Sequence, residues 1–155
     1  MQKIVPFLWF DGNAEEAANF YVATFPNAKV TEVRRWGGGG PVPTGAVMSA
    51  TFEIDGRSYI AFNGGPHFKF TPAISLFVNC ETQQEVDRLT QKLCEGGEQQ
   101  PCGWVTDKYG LSWQIIPTVL GDLLQHKDPE KAKKVMQAMM TMKKMDIAAL
   151  QKAAA

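Results

Sequence analysis

The chain is poor in the patterns that announce cross-links, metals or cofactors. Its three cysteines, Cys80, Cys94 and Cys102, are odd in number and include no C-x-x-C pair. That excludes a disulfide framework and a thiolate zinc site, and free thiols in a reducing cytoplasm are expected instead. Neither sign of charge is in excess: 16 Lys and Arg face 16 Asp and Glu, so no positive field draws in a phosphate backbone and nucleic acid is not an expected partner. The apolar run Ile4 to Phe10 follows a single lysine and is too short to span a membrane or to act as a secretory signal. A cytoplasmic protein with no membrane partner is the expectation. The one glycine run, Gly37 to Gly40, meets Pro41 and then a strand. It lacks the Lys-Ser or Lys-Thr of a phosphate loop and the helix start of a nucleotide-cofactor turn, so it reads as a flexible connection able to act as a lid.

What is present suffices for one packed domain: 155 residues, 45% of them hydrophobic. The opening run has strand length and aromatic weight and stops at Asp11-Gly12-Asn13; apolar throughout, it reads as a strand buried on both faces. Asn13, with Glu16 three residues on, has the form of a capping box. Ala14, Ala17, Ala18, Tyr21, Val22 and Phe25 follow at helical spacing until Pro26. A strand from Lys29 to Trp36 and two β-type runs, Ala46 to Ile54 and Arg57 to Asn63, come next, the latter two joined by Asp55-Gly56, a tight-hairpin dipeptide. The order β-α-β-β-β then recurs: a strand from Ala73 to Val78, a helix boxed by Thr82 and Glu85 and stopped by Gly96-Gly97, a short strand around Gln99 to Thr106, a turn at Asp107 to Gly110, and a strand from Leu111 to Ile116. The remainder reads as helical, with Asp128-Pro129 as cap and first residue, a stripe of Ala132, Val135, Met136, Met139 and Met140, and Asp146 capping a last short helix.

This duplicated βαβββ order, with its Asp-Gly hairpin and with Gly110 four residues before Gln114, resembles the vicinal-oxygen-chelate superfamily. More narrowly, the run from Pro6 to Ala17 (PFLWFDGNAEEA), Phe62-Asn63-Gly64-Gly65-Pro66 and Trp113-Gln114-Ile115-Ile116-Pro117 resemble the PhnB-like subgroup, whose domain is named for 3-demethylubiquinone-9 3-methyltransferase. The resemblance covers Ile4 to Pro117, and the tail from Thr118 also fits the subgroup. It implies an α+β fold in which two βαβββ modules, about residues 3–64 and 72–117, form incomplete barrels of the glyoxalase/bleomycin resistance kind within a single domain, followed by C-terminal helices at 118–155. A cavity in each module and a homodimer are further implications.

Metal-dependent members of the superfamily take ligands, usually His and Glu, from the first and last strands of each module. Here the corresponding positions fall at Pro6, at Asn63 or Phe62, at Ala73 and at Gln114, none of them a strong divalent-metal donor. His67 and His126 lie in a loop and in the C-terminal segment, and neither replaces an inward-pointing ligand. No metal and no cofactor are therefore expected. The candidate ligand-binding residues are Phe10, Asn63, His67, Ser75, Phe77, Trp104, Asp107 and Gln114. Aromatics supply walls for a planar or apolar molecule, and the amides and hydroxyl supply orientation. Asp107, in Asp-x-x-Gly before the last strand, has the form of a turn stabiliser, and Glu53 that of a solvated sheet face. Cys80 sits just before a helix N-terminus, where a thiol is sometimes activated. Three readings stand side by side: a small-molecule-binding protein, a metal-independent lyase or isomerase in which Asp107 or His67 moves a proton, and a partner-binding protein using the Met-rich helix.

Overall fold

The computed structural model describes residues 1–155, and the chain divides into two compact units, Met1–Phe70 and Thr71–Ala155. Each holds one four-stranded mixed sheet, neither closed into a barrel, with a helix on one face.

In the first unit, β1 (Phe7–Phe10), β2 (Ala28–Arg35), β3 (Val47–Ile54) and β4 (Arg57–Asn63) lie in the order β1-β4-β3-β2, with α1 (Ala14–Thr24) between β1 and β2 in the chain. The Asp55-Gly56 hairpin forms as its sequence requires, both residues at positive φ (51° and 80°). Register fixes the faces: Leu8 pairs with Ala61, Ala61 with Ala50, and Phe52 with Tyr59. These turn toward α1, whose Ala14, Ala17, Ala18 and Tyr21 are fully buried. Small side chains on both partners let the helix lie close, while Tyr21 and Phe52 fill the remaining space with ring centroids 5.6 Å apart. β1 is not buried on both faces. Leu8 and Phe10 are sealed, but Phe7 is 56% exposed, because α1 covers only one side of the sheet.

The second unit repeats the plan with β5 (Ser75–Cys80), α2 (Gln83–Leu93), β6 (Glu98–Gln99), β7 (Trp104–Thr106) and β8 (Ser112–Pro117), its sheet in the order β5-β8-β7-β6. The Thr82 box forms: Thr82 Oγ1 accepts from the Glu85 amide (3.1 Å) and the Glu85 carboxylate reaches back to the Glu81 amide (2.9 Å). The single strand expected at Gln99 to Thr106 is interrupted by a 3-10 turn at Pro101–Gly103. Pro101 offers no amide to a ladder, and Cys102 (φ 62°) and Gly103 turn theirs outward to the carbonyls of Met142 and Lys143.

Those carbonyls belong to the C-terminal segment, which carries the helices α3 (Thr118–Leu124), α4 (Pro129–Met140) and α5 (Ile147–Ala153). Asp128 and Asp146 cap α4 and α5, accepting from the Glu130 and Ala149 amides at 3.0 Å each. Gln83 of α2 ties the segment down, donating to Met145 O (2.9 Å) and accepting from Ile147 N (2.8 Å). Val135, Met145 and Leu150 are fully buried, whereas Met136 and Met140 are 41% and 66% exposed. The methionine stripe therefore does not act as one packing face. No helix is long and apolar enough to cross a membrane.

Candidate functional site

In each unit the sheet face turned away from its helix is open, and strand alternation decides what it carries. In the first unit that face holds Phe7 and Trp9 from β1, Ile60 and Phe62 from β4, and Ser49 and Thr51 from β3. Phe62 is the hub, with ring centroids 5.0 Å from Phe7, 5.3 Å from Trp9 and 6.3 Å from Trp36. Trp9 is held in place: its indole Nε1 donates to Gly65 O (3.0 Å), Phe68 meets it edge-on at 4.9 Å, and its ring lies where any Cβ on Gly64 would stand. Trp36 pairs with Ala46 and Gly45 through two backbone hydrogen bonds (2.8 and 2.9 Å), closing the glycine-rich loop. Between that loop and Phe62 lies a cleft of 460 Å³ lined by Trp36, Gly38 to Val42 and Phe62 to Gly65. No ionisable side chain lines it.

The candidate residues of the first unit take other places. Phe10 is in the core, edge-on to Phe70 at 5.2 Å. Asn63 borders the cleft, but its amide is committed: Oδ1 accepts from Ala14 N (2.9 Å) and Nδ2 donates to Val47 O (3.1 Å). Asn13 gives no side-chain cap to α1; the long-range Asn63 contact does that work. His67 is exposed in the loop after β4.

In the second unit Ser75, Phe77, Trp104 and Gln114 share the open face, since Phe77 and Trp104 are register partners of Gln114 on either side and Ser75 pairs with Ser112. Gln114 Nε2 donates to Ser75 Oγ at 2.9 Å. Asp107 stands apart. It is 2% exposed, Oδ1 accepts from the amides of Tyr109 (2.9 Å) and Leu111 (3.0 Å), and Oδ2 accepts from Trp113 Nε1 (2.9 Å). This carboxylate builds the turn into β8. Cys80 is fully buried, and its thiol is pushed up to about 12 by burial, with the Glu85 carboxylate adding to it, so it is no nucleophile near neutral pH.

Trp9 and Trp36 are walls that the sequence did not single out. The signal was there in the alternation Phe7-Leu8-Trp9-Phe10, hidden because every residue in the run is apolar.

The superfamily's metal finds no donors on these strands. Phe7, Trp9, Ser58, Ile60, Phe62, Ser75, Phe77, Asn79, Ser112, Gln114 and Ile116 share the faces of β1, β4, β5 and β8 turned away from the helices, and none is His, Cys, Asp or Glu. Pro6 and Ala73 lie just before β1 and β5. Nowhere do three such side chains come together to hold an ion. A divalent ion does not fit this donor set.

Two sheets, each built as β-α-β-β-β and open on one face, define a protein of the glyoxalase/bleomycin resistance fold. The model of the family described as 3-demethylubiquinone-9 3-methyltransferase matches residues 2–116, and the chain belongs to that PhnB-like family. A Bacillus cereus protein described as a PhnB protein of this kind is 38% identical, covering 76% of this chain and 100% of its own, with a TM-score of 0.69. A Pseudomonas aeruginosa protein is 25% identical over 73% of this chain and 95% of its own, with a TM-score of 0.60. The chain matches none of the curated proteins.

Proposed function

We propose that the chain is a metal-independent small-molecule-binding protein, and that the cleft between Trp36, Phe62 and the glycine-rich loop receives an apolar, planar ligand. The observation that carries this reading is the pairing of a ring cluster centred on Phe62 with a volume of 460 Å³, which suits a drug-sized molecule. With no ionisable group in the lining, neither a charged substrate nor proton transfer is served there. The alternative of a lyase or isomerase loses support because Asp107 spends its oxygens on the β8 turn and His67 projects from an exposed loop. Methyl transfer from a nucleotide-type cofactor is likewise unsupported, since Gly37–Gly40 connects two antiparallel strands and starts no helix. A homodimer accompanies this reading: Phe7, Ile74 and Phe77 are 56%, 72% and 54% exposed, apolar side chains that a second copy would cover.

The test is a thermal-shift and fluorescence screen of planar apolar compounds against the wild type and Trp36→Ala. Binding raises the melting temperature of the wild type, and Trp36→Ala weakens it at least tenfold. A screen in which no such compound shifts either protein sinks the reading.

A further inference from the structure

The open face of the second unit carries a different cleft, of 390 Å³, lined by Pro72, Gln100, Pro101, Trp104, Thr106 and Ser112. Ser112 is its informative member. The residue is 3% exposed, yet its hydroxyl meets no partner within the chain. No side-chain oxygen is both sealed and unbonded, so the little surface Ser112 retains includes Oγ, and the residue lines the cleft. A hydroxyl this deep with no partner in the chain depends on whatever enters the cleft for its hydrogen bond. Thr106, its register partner across β7 and β8, sets a second hydroxyl beside it, since facing residues of such a pair stand about 5 Å apart. Trp104, two residues along the same strand face, offers a half-buried indole.

We propose that this face is a ligand site of its own for a neutral ring compound with one flat face and a hydrogen-bonding edge. The ring lies on the Trp104 indole, and its edge exchanges hydrogen bonds with Ser112, Thr106 and the Gln100 amide. Hydroxyls and an amide both donate and accept, so they match an edge carrying both kinds of group. A charged ligand finds no counter-charge among the lining residues, and a wholly apolar one leaves Ser112 unpaired. Two sources share this chemistry: neutral heterocycles with a lactam or amide edge, and neutral monosaccharides, whose C–H face also stacks on indole. Just beyond the cleft, Gln114 held by Ser75, with Phe77 beside it, continues the face for a longer ligand. The site lies in a different unit from the Trp36 cleft and shares no residue with it.

Saturation-transfer NMR on the full-length chain tests this, with uracil and nicotinamide as neutral heterocycles, glucose and xylose as neutral sugars, and orotate, nicotinate and glucuronate as charged counterparts. At least one neutral class gives saturation transfer at millimolar concentration, while its charged counterparts give none; which class responds identifies the source. Ser112→Ala weakens that binding about tenfold, the loss expected for one buried hydrogen bond, and Trp104→Leu abolishes it, whereas Trp36→Ala leaves it intact. Unchanged binding in Ser112→Ala, loss in Trp36→Ala, or silence from both neutral classes overturns the proposal. Thr106→Val gives a second variant if Ser112→Ala is poorly folded, and failure of Thr106→Val to weaken binding overturns it equally.

Discussion

The Asn63 side chain at the end of β4 takes the amide hydrogen of Ala14, the first residue of α1, across 49 residues of sequence (2.9 Å). One residue thereby caps the helix, ties β4 to the start of β3 through Val47 O, and fixes the rim of the Trp36 cleft.

Asn63→Ala leaves a buried amide without its acceptor and frees the Val47 carbonyl. A loss of about 2 kcal/mol follows, combining a helix cap with a second hydrogen bond. Asn63→Asp keeps the acceptor for Ala14 but sets a carboxylate oxygen against the Val47 carbonyl in place of the donor, so it too should be less stable than the wild type in urea denaturation.

Asp107 makes a sharper case. Asp107→Asn turns one of the three accepting contacts into a donor facing a donor, and Asp107→Ala strands the indole N–H of Trp113, which is 2% exposed. We expect losses of about 2 kcal/mol and 3 kcal/mol respectively, read as lowered melting temperature. Wild-type stability in both variants would make Asp107 a candidate proton-transfer group again.

Ser112→Ala should do the opposite. Removing a hydroxyl that has no partner within the chain leaves stability unchanged or raises it by up to about 1 kcal/mol. A melting temperature lowered by several degrees would mean that the hydroxyl holds the fold rather than awaiting a ligand.

The Cys80 thiol is raised from its ordinary 9.0 to about 12. The folded chain therefore binds this proton more tightly than the unfolded chain. Its contribution to stability is complete below pH 9 and is lost as pH climbs from there toward 12. Thiol titration of the native protein at pH 8 should modify the half-buried Cys94 and Cys102 and spare Cys80 until denaturant is added.

Metal and assembly give the last pair of checks. Dialysis against zinc, nickel or manganese should leave no stoichiometric ion, and a chelator should not move the melting temperature; ion retained and then lost in Gln114→Ala would show that the open-face strand positions do hold a metal. Sedimentation at micromolar concentration should show a dimer, and replacing Phe7 and Phe77 with Ser should shift it toward monomer.

Local chemistry made much of this protein legible in its sequence. The Asp55-Gly56 turn, the Thr82 box and the Asp128 and Asp146 caps each depend on residues a few positions apart, so short-range pattern was enough. Alternation by itself also put Ser75 with Phe77, and Ser112 with Gln114, on common strand faces. Tertiary structure decided which face each helix would cover, and therefore that Phe10 is core while Trp9 is wall. It gave the α1 cap to Asn63 rather than Asn13, broke the strand at Pro101 by offering Cys102 and Gly103 the carbonyls of a distant segment, and left Met136 and Met140 in water. Those outcomes turn on partners dozens of residues away, and a run apolar at every position carries no local mark of the side that will be buried.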